Sequence, residues 1–208
     1  MKIVIFGASG HIGRIITARA LEKGHKVTAF VRNPQTLTIK NKNLSVCVGD
    51  IRNYAQVADA IKGNEAVISS VGNKTRSATF KSTTVISNGV ENIVKAMNQH
   101  NVKRLLFISS FGLNESIFLP EKIFIRIILR NIFAQMPRQE KRISQSGLDY
   151  TIVRPARLTD EITVGKYKAA EDLYIGLFSH ISRTAVADFL LKELENKKFS
   201  RKVVTLSY

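Results

Sequence analysis

Seven residues near the start constrain this chain more than any others. Gly7-Ala8-Ser9-Gly10-His11-Ile12-Gly13 lie between the apolar run Ile3-Val4-Ile5-Phe6 and an amphipathic stretch. A strand that ends on a glycine turn and opens directly into a helix is the first half of a βαβ unit. Gly7 permits the tight turn, Gly10 lets the backbone approach a pyrophosphate, and Gly13 lets helix and strand pack closely. The amides at the start of the helix, from His11 and Ile12 onward, face phosphate oxygens with the helix dipole behind them. Ser9 adds a hydroxyl donor. Glycines alone mark only a tight turn; strand, spacing and helix together mark a dinucleotide site.

The rest of the chain repeats that rhythm. Short runs rich in Val and Ile stand at Lys2–Phe6, Lys26–Val31, Leu44–Val48, Ala66–Ser69, Arg104–Ile108 and Tyr150–Arg154, with a late one at Lys202–Leu206. Between them Ile12, Ile15, Ile16 and Leu21 share a helical face, as do Val85, Val90, Ile93, Val94 and Met97. The alternation predicts an α/β fold: a Rossmann-type doubly wound parallel sheet with helices on both faces. With 208 residues and no repeat, linker or low-complexity tract, a single domain over residues 1–208 is expected.

Two segments depart from the rhythm, 113–134 and 156–182, and both are expected to contribute to a substrate site. Leu113 to Ala134 reads as a loop followed by a helix opened by Pro120. It is very apolar, from Ile123 to Phe133, while Lys122, Arg126 and Arg130 fall four apart on one face. A packed helix or lid over the cleft is one reading; a basic membrane-surface helix or a dimer contact is the other. After Pro155, a strand at Ile162–Tyr167 and a helix from about Thr184 to Leu194 are expected.

Several function classes find no support. No uninterrupted apolar run reaches the roughly 20 residues that span a bilayer, and Met1-Lys2 leads into a strand instead of a secretory signal. Cys47, the only cysteine, lies in an apolar run, where a buried and inert thiol is expected. A cytoplasmic protein, monomeric or weakly dimeric, follows as the expectation. His11, His25, His100 and His180 do not form a metal-ligand spacing, so no metal is expected. Neither a Ser-His-Asp order nor a clustered acidic pair stands out. The net charge of +16 is spread along the chain without a dense tail. It favours anionic ligands in general and predicts no specific nucleic-acid partner.

Cofactor choice is read at the end of the second strand, where NAD sites carry Asp or Glu for the ribose hydroxyls. Here that place holds Val31-Arg32-Asn33-Pro34. Arg32 cannot accept those hydrogen bonds, but its guanidinium pairs with a 2′-phosphate and stacks on adenine. NADPH is therefore expected in preference to NADH. Asp50 and Ile51 follow the third strand: Asp50 either accepts from the adenine amino group, with Ile51 against the ring, or caps the next helix. Ser70-Val71-Gly72 ends the fourth strand, where small residues admit the cofactor. Ser109-Ser110-Phe111-Gly112 ends the fifth, where the nicotinamide should lie.

With the glycine turn, Arg32, Gly49-Asp50, the Ser109-Ser110 strand end and Ser146-Gly147-Leu148-Asp149-Tyr150-Thr151-Ile152-Val153-Arg154-Pro155, the chain resembles an atypical short-chain dehydrogenase/reductase with an NAD(P)H-binding domain. Thr83-Thr84-Val85-Ile86-Ser87, Gly89, Asn92-Ile93-Val94 and Ala96-Met97 make it most similar to the biliverdin IX-beta reductase/flavin reductase type, an NmrA-like group. The resemblance spans nearly the whole chain, although the shared motifs lie mostly in the cofactor half. It implies NADPH-dependent reduction of flavins or related planar conjugated molecules.

The departures from that family bear on mechanism. Typical members donate a proton from the Tyr of a Tyr-x-x-x-Lys pair. Counting back from Ser146-Gly147-Leu148, those places hold Ile132 and Met136, which transfer no proton. Tyr150 is no substitute, being expected inside a strand as a core or cofactor-flanking residue. Flavin reductases of this type also lack the pair and rely on stacking and positioning. Ser110 matches that type's active-site serine and would hold nicotinamide or substrate; Pro155 would help shape the pocket. Two residues past Pro155, where that type has histidine, stands Arg157. It suits a flavin phosphate, a carboxylate or a reduced-ring anion and is a poor general acid. Ser110 and Arg157 are the catalytic candidates. The alternative is a non-catalytic NADP(H) sensor like the NmrA-like regulators, and sugar-nucleotide epimerase chemistry suffers from the missing tyrosine.

Overall fold

The computed structural model describes residues 1–72, 85–109, 130–176 and 178–208, the side chains of 85–87 and 130–136 excepted. One sheet takes in Lys2–Phe6 (β1), Lys26–Val31 (β2), Leu44–Val48 (β3), Ala66–Ser69 (β4), Arg104–Ile108 (β5), Asp149–Pro155 (β6), Lys168–Ala170 (β8) and Lys202–Ser207 (β10). Its order is β3-β2-β1-β4-β5-β6-β10-β8. Every neighbouring pair is parallel except β10 and β8. The run 3-2-1-4-5-6 is the doubly wound order, with its switch point between β1 and β4. Arg157–Thr159 (β7) and His180–Ser182 (β9) pair separately, also in parallel.

β1 shows why the chain needs helices on both faces. Its successive side chains point to opposite sides, and Ile3 through Phe6 are all fully buried. Ile3 and Ile5 join a core with Ile16 and Ala20 of α1 (His11–Glu22) and with Val186, Leu190 and Leu194 of α5 (Arg183–Asn196). Val4 and Phe6 join the other core. It is formed with Val57 and Ile61 of α2 (Tyr54–Ile61), Ile93 and Met97 of α3 (Val85–Gln99) and Ile143 of α4 (Arg130–Ser144). Phe30 of β2 sits 4.9 Å from Phe6, ring to ring, within that second core.

The amino ends of β5 and β6 are locked by a buried ion cluster. Arg104, 3% exposed, donates to Asp149 at 3.0 Å and to Glu193 of α5 at 2.9 Å. Glu193 also accepts from the Thr151 hydroxyl and the Phe199 amide, so its buried charge is well partnered.

Two expectations change, and a third falls on residues that are not described. Ile162–Tyr167 is not a strand: Gly165 has φ +62, and the hydroxyls of Ser182 and Tyr208 take up the carbonyls of Thr163 and Val164. Cys47 is half-buried, not buried, because β3 is an edge strand whose Val46 and Val48 are 45% and 54% exposed. Burial still pushes its thiol up, away from reactivity. The helix opened by Pro120 lies outside the described residues. Only residues 130–134 fall within them, on α4, which continues through Pro137 to Ser144 although proline contributes no amide donor.

Candidate cofactor site

The glycine turn is built by close approach. Gly7 has φ +81, and a Cβ there would stand 2.9 Å from the Ser70 backbone. A Cβ on Gly13 would come within 2.1 Å of the Gly7 carbonyl oxygen, so no larger residue fits beneath the turn. Ser70 secures the arrangement. Its amide donates to the Phe6 carbonyl at 2.9 Å, and its hydroxyl reaches the Phe6 and Gly7 carbonyls at 3.1 and 3.3 Å.

Helix α1 begins at His11 behind Gly10, with no side-chain cap and no acid in its first turn. Its leading amides therefore have no intrahelical acceptor, and the positive end of the dipole is not offset locally. Ser9, Gly10 and Ile12 are half-buried and His11 is exposed. The cradle closed by Gly7 and Gly13, with these amides at its rim, fits a pyrophosphate.

The end of β2 supplies positive charge. Arg32 is exposed directly after Val31. Arg14, on the first turn of α1, donates to the Thr36 carbonyl at 2.7 Å and so lies against the loop that follows Arg32. Sequence reasoning missed Arg14; its signal was a guanidinium one residue past the last motif glycine. Asp50 is held by Arg52, whose Nε donates to both carboxylate oxygens at 3.0 and 2.9 Å. Those bonds, with Arg52 and Arg32 charges nearby, bring the Asp50 carboxyl down to about 2. Asp50 does not cap α2; Asn53 does, through the Gln56 amide. Ile51 is 8% exposed and pressed against Gly89 of α3, where an added Cβ would meet it at 2.8 Å.

The strand ends on the other side of the switch point are also accounted for in part. Val71 is half-buried, and Gly72 is exposed, with none of the described residues within 4 Å of where a Cβ would stand. Ser109 is buried, and its hydroxyl donates to Glu140 of α4 at 2.5 Å. Glu140 also receives Arg154 of β6. Sequence reasoning missed this cluster, although an arginine in the otherwise apolar strand Tyr150–Pro155 signals a buried acidic partner. Pro155 ends β6 beside Leu206, and the exposed Arg157 opens β7. Tyr150 pairs with Leu105 at the amino end of β6, which excludes the cofactor-flanking role and leaves the core one.

Ser110, with Phe111, Gly112 and residues 113–129, lies outside the described residues. Ile132 and Met136 fall one turn apart on α4. Among the described residues no cluster of three or more His, Cys, Asp or Glu could hold a metal, and no helix is long and apolar enough to cross a membrane.

Comparison with known proteins places these features in context. A family model described as NAD(P)H-binding matches residues 7–197. A Bacillus subtilis protein named as an uncharacterized sugar epimerase, YhfK, is 26% identical over 204 residues, covering 96% of this chain and 92% of its own length. Phenylcoumaran benzylic ether reductase 1 of Arabidopsis thaliana is 29% identical over 162 residues; the match covers 73% of this chain and 47% of that protein. A short-chain dehydrogenase/reductase from Veillonella parvula, solved in complex with NADP, superposes with a TM-score of 0.81 at 20% identity, over 100% of this chain and 94% of that one. That last likeness concerns the fold alone.

Proposed function

Because the chain belongs to the NAD(P)H-binding family, we propose that it is an NADPH-dependent reductase of a flavin, a quinone or a similar planar conjugated acceptor. The observation that carries the reading is the uncapped start of α1 over the Gly7–Gly13 cradle, with exposed Arg32 at the end of β2 where an NAD site would carry an acid.

Each residue then has a definite task. The amides of His11, Ile12 and Gly13, with the Ser9 hydroxyl, hold the pyrophosphate. Arg32 takes the 2′-phosphate, with Arg14 adding charge at the same loop. Asp50 offers its remaining lone pairs to the adenine amino group, and Ile51 floors the ring. Ser70, Val71, Gly72, Ser109 and Pro155 line the path to the nicotinamide. When bound, the nicotinamide would supply a hydride to the acceptor, and the proton that completes the reduction would come from solvent. Ser110 orients the reacting ring and Arg157 meets the acceptor's phosphate, carboxylate or reduced-ring charge. Ile132 and Met136, in the Tyr and Lys places, contribute no proton. This suits an acceptor reduced by hydride and weighs against alcohol oxidation and epimerase chemistry.

The same missing pair favours one second reading, an NADP(H) sensor without turnover. Mixing purified protein with NADPH and a panel of FMN, FAD and quinones separates the two. NADPH oxidation that requires an acceptor supports the reductase. Tight NADP binding with no turnover on any acceptor rejects it for the sensor. The protein is further proposed to act in the cytoplasm as a monomer or weak homodimer.

A further inference from the structure

The opposite end of the sheet carries a second concentration of charge that the cofactor does not use. A recess of about 370 Å³ lies at the amino ends of β1 and β2, lined by Lys2, Lys26, Lys42 and Lys62 together with Asn43 and Asn64. Lys2 and Lys26 are register partners on adjacent parallel strands, so both side chains leave the same face of the sheet. Like charges placed directly opposite one another are unfavourable in a sheet. Lys42 comes from the turn before β3, and Lys62 is the C-cap of α2.

Among the described residues none of these four lysines forms an ion pair. The nearby acid, Glu65, turns its carboxylate to the Lys2 backbone amide at 2.6 Å and is absent from the recess lining. The carboxyl end of α2 brings only about half a negative charge. A sphere of this volume is about 9 Å across, close to the roughly 8 Å screening length at physiological ionic strength, so a ligand in the recess feels all four charges only partly screened. Five residues of β1, about 16 Å of strand, separate it from the glycine turn.

We infer that this recess binds a small anion carrying several phosphate groups, at a site distinct from the cofactor cleft. Its walls are polar, with Thr28, Ser45 and the two asparagines able to donate or accept hydrogen bonds. Its dimensions suit a triphosphate and not a duplex groove.

The test is calorimetric titration of the full chain with inorganic tripolyphosphate, repeated with Lys26→Gln/Lys42→Gln, Lys26→Arg/Lys42→Arg and Arg32→Ala. One saturable site is expected, weakened about tenfold or more in the Gln pair, kept in the Arg pair and unchanged in Arg32→Ala. Loss in Arg32→Ala would assign the anion to the cofactor cleft and overturn the inference. So would an unchanged Gln pair, or binding that never saturates, which marks a diffuse basic surface. Titration with ATP identifies the source once the site stands: tighter binding than tripolyphosphate points to a nucleotide, equal binding to the phosphates alone. Because Arg32→Ala removes the proposed 2′-phosphate contact and leaves this recess intact, failure of either proposal is visible without the other.

Discussion

The hydroxyl of Ser109 donates to the carboxylate of Glu140, tying the end of β5 to α4. Arg154 of β6 completes the cluster, with Nε 3.1 Å from one Glu140 oxygen and Nη2 on the other. Glu140 is 7% exposed, so its charge is stable only because both partners are in place. Glu140→Ala would leave Arg154 charged and without its carboxylate, at a cost of about 3–5 kcal/mol measured by urea denaturation. Glu140→Leu combined with Arg154→Met removes both charges and should recover most of that loss. A double variant as unstable as the single one would show that the cluster acts by something other than paired charge.

Arg32 is the residue proposed to set the cofactor preference. It is exposed at the carboxyl end of β2, and Arg14 of α1 donates to Thr36 on the loop that follows. Arg32→Ala should weaken NADPH by about tenfold to a hundredfold, since charge-assisted bonds to phosphate contribute roughly 1.5–3 kcal/mol. NADH should change little, because it has no 2′-phosphate. Fluorescence titration with both nucleotides decides; equal weakening of the two would remove the 2′-phosphate assignment.

Fold and site differed in how far the sequence reveals them. The central parallel strands were legible because they are buried on both faces and read as uninterrupted apolar runs, as in Ile3–Phe6 and Leu105–Ile108. The stretch from Ala156 to Ser182 was not. Its strands have three residues each, too short for periodicity, and tertiary bonds from Ser182 and Tyr208 decide the backbone at Thr163 and Val164. The glycine turn was legible because its constraints are local: a positive φ at Gly7 and a contact six residues away at Gly13. The Ser109–Glu140–Arg154 cluster was not, since its members lie 31 and 14 residues apart and meet only when β5, α4 and β6 pack.

Two glycines separate fold from binding. At Gly13 a Cβ would collide with the Gly7 carbonyl at 2.1 Å, so Gly13→Ala must displace α1 from the turn. Loss of stability and of nucleotide binding should appear together. At Gly72 a Cβ meets none of the described residues within 4 Å, so Gly72→Ala should leave the thermal midpoint nearly unchanged. A drop in nucleotide affinity or turnover in Gly72→Ala would then report the methyl group meeting the cofactor. Unchanged binding would place the nicotinamide path away from the end of β4.

A pH dependence follows from His25, which is 6% exposed and lies 3.3 Å from the Met1 amine and 3.6 Å from Glu195. Burial lowers its pKa, the Met1 charge lowers it further, and Glu195 opposes both. Below its ordinary value of about 6.5 the unfolded chain takes up a proton that the folded chain resists. The unfolded state then binds more protons, so stability rises with pH through this window and falls as pH drops below about 6.5. The Asp50 carboxyl, at about 2 in the folded chain, contributes its own dependence only below about pH 4, well apart from the histidine window. Urea midpoints should therefore decline between about pH 7.5 and 5.5, and His25→Gln should flatten the decline. A slope that persists unchanged in His25→Gln would assign the effect to another group.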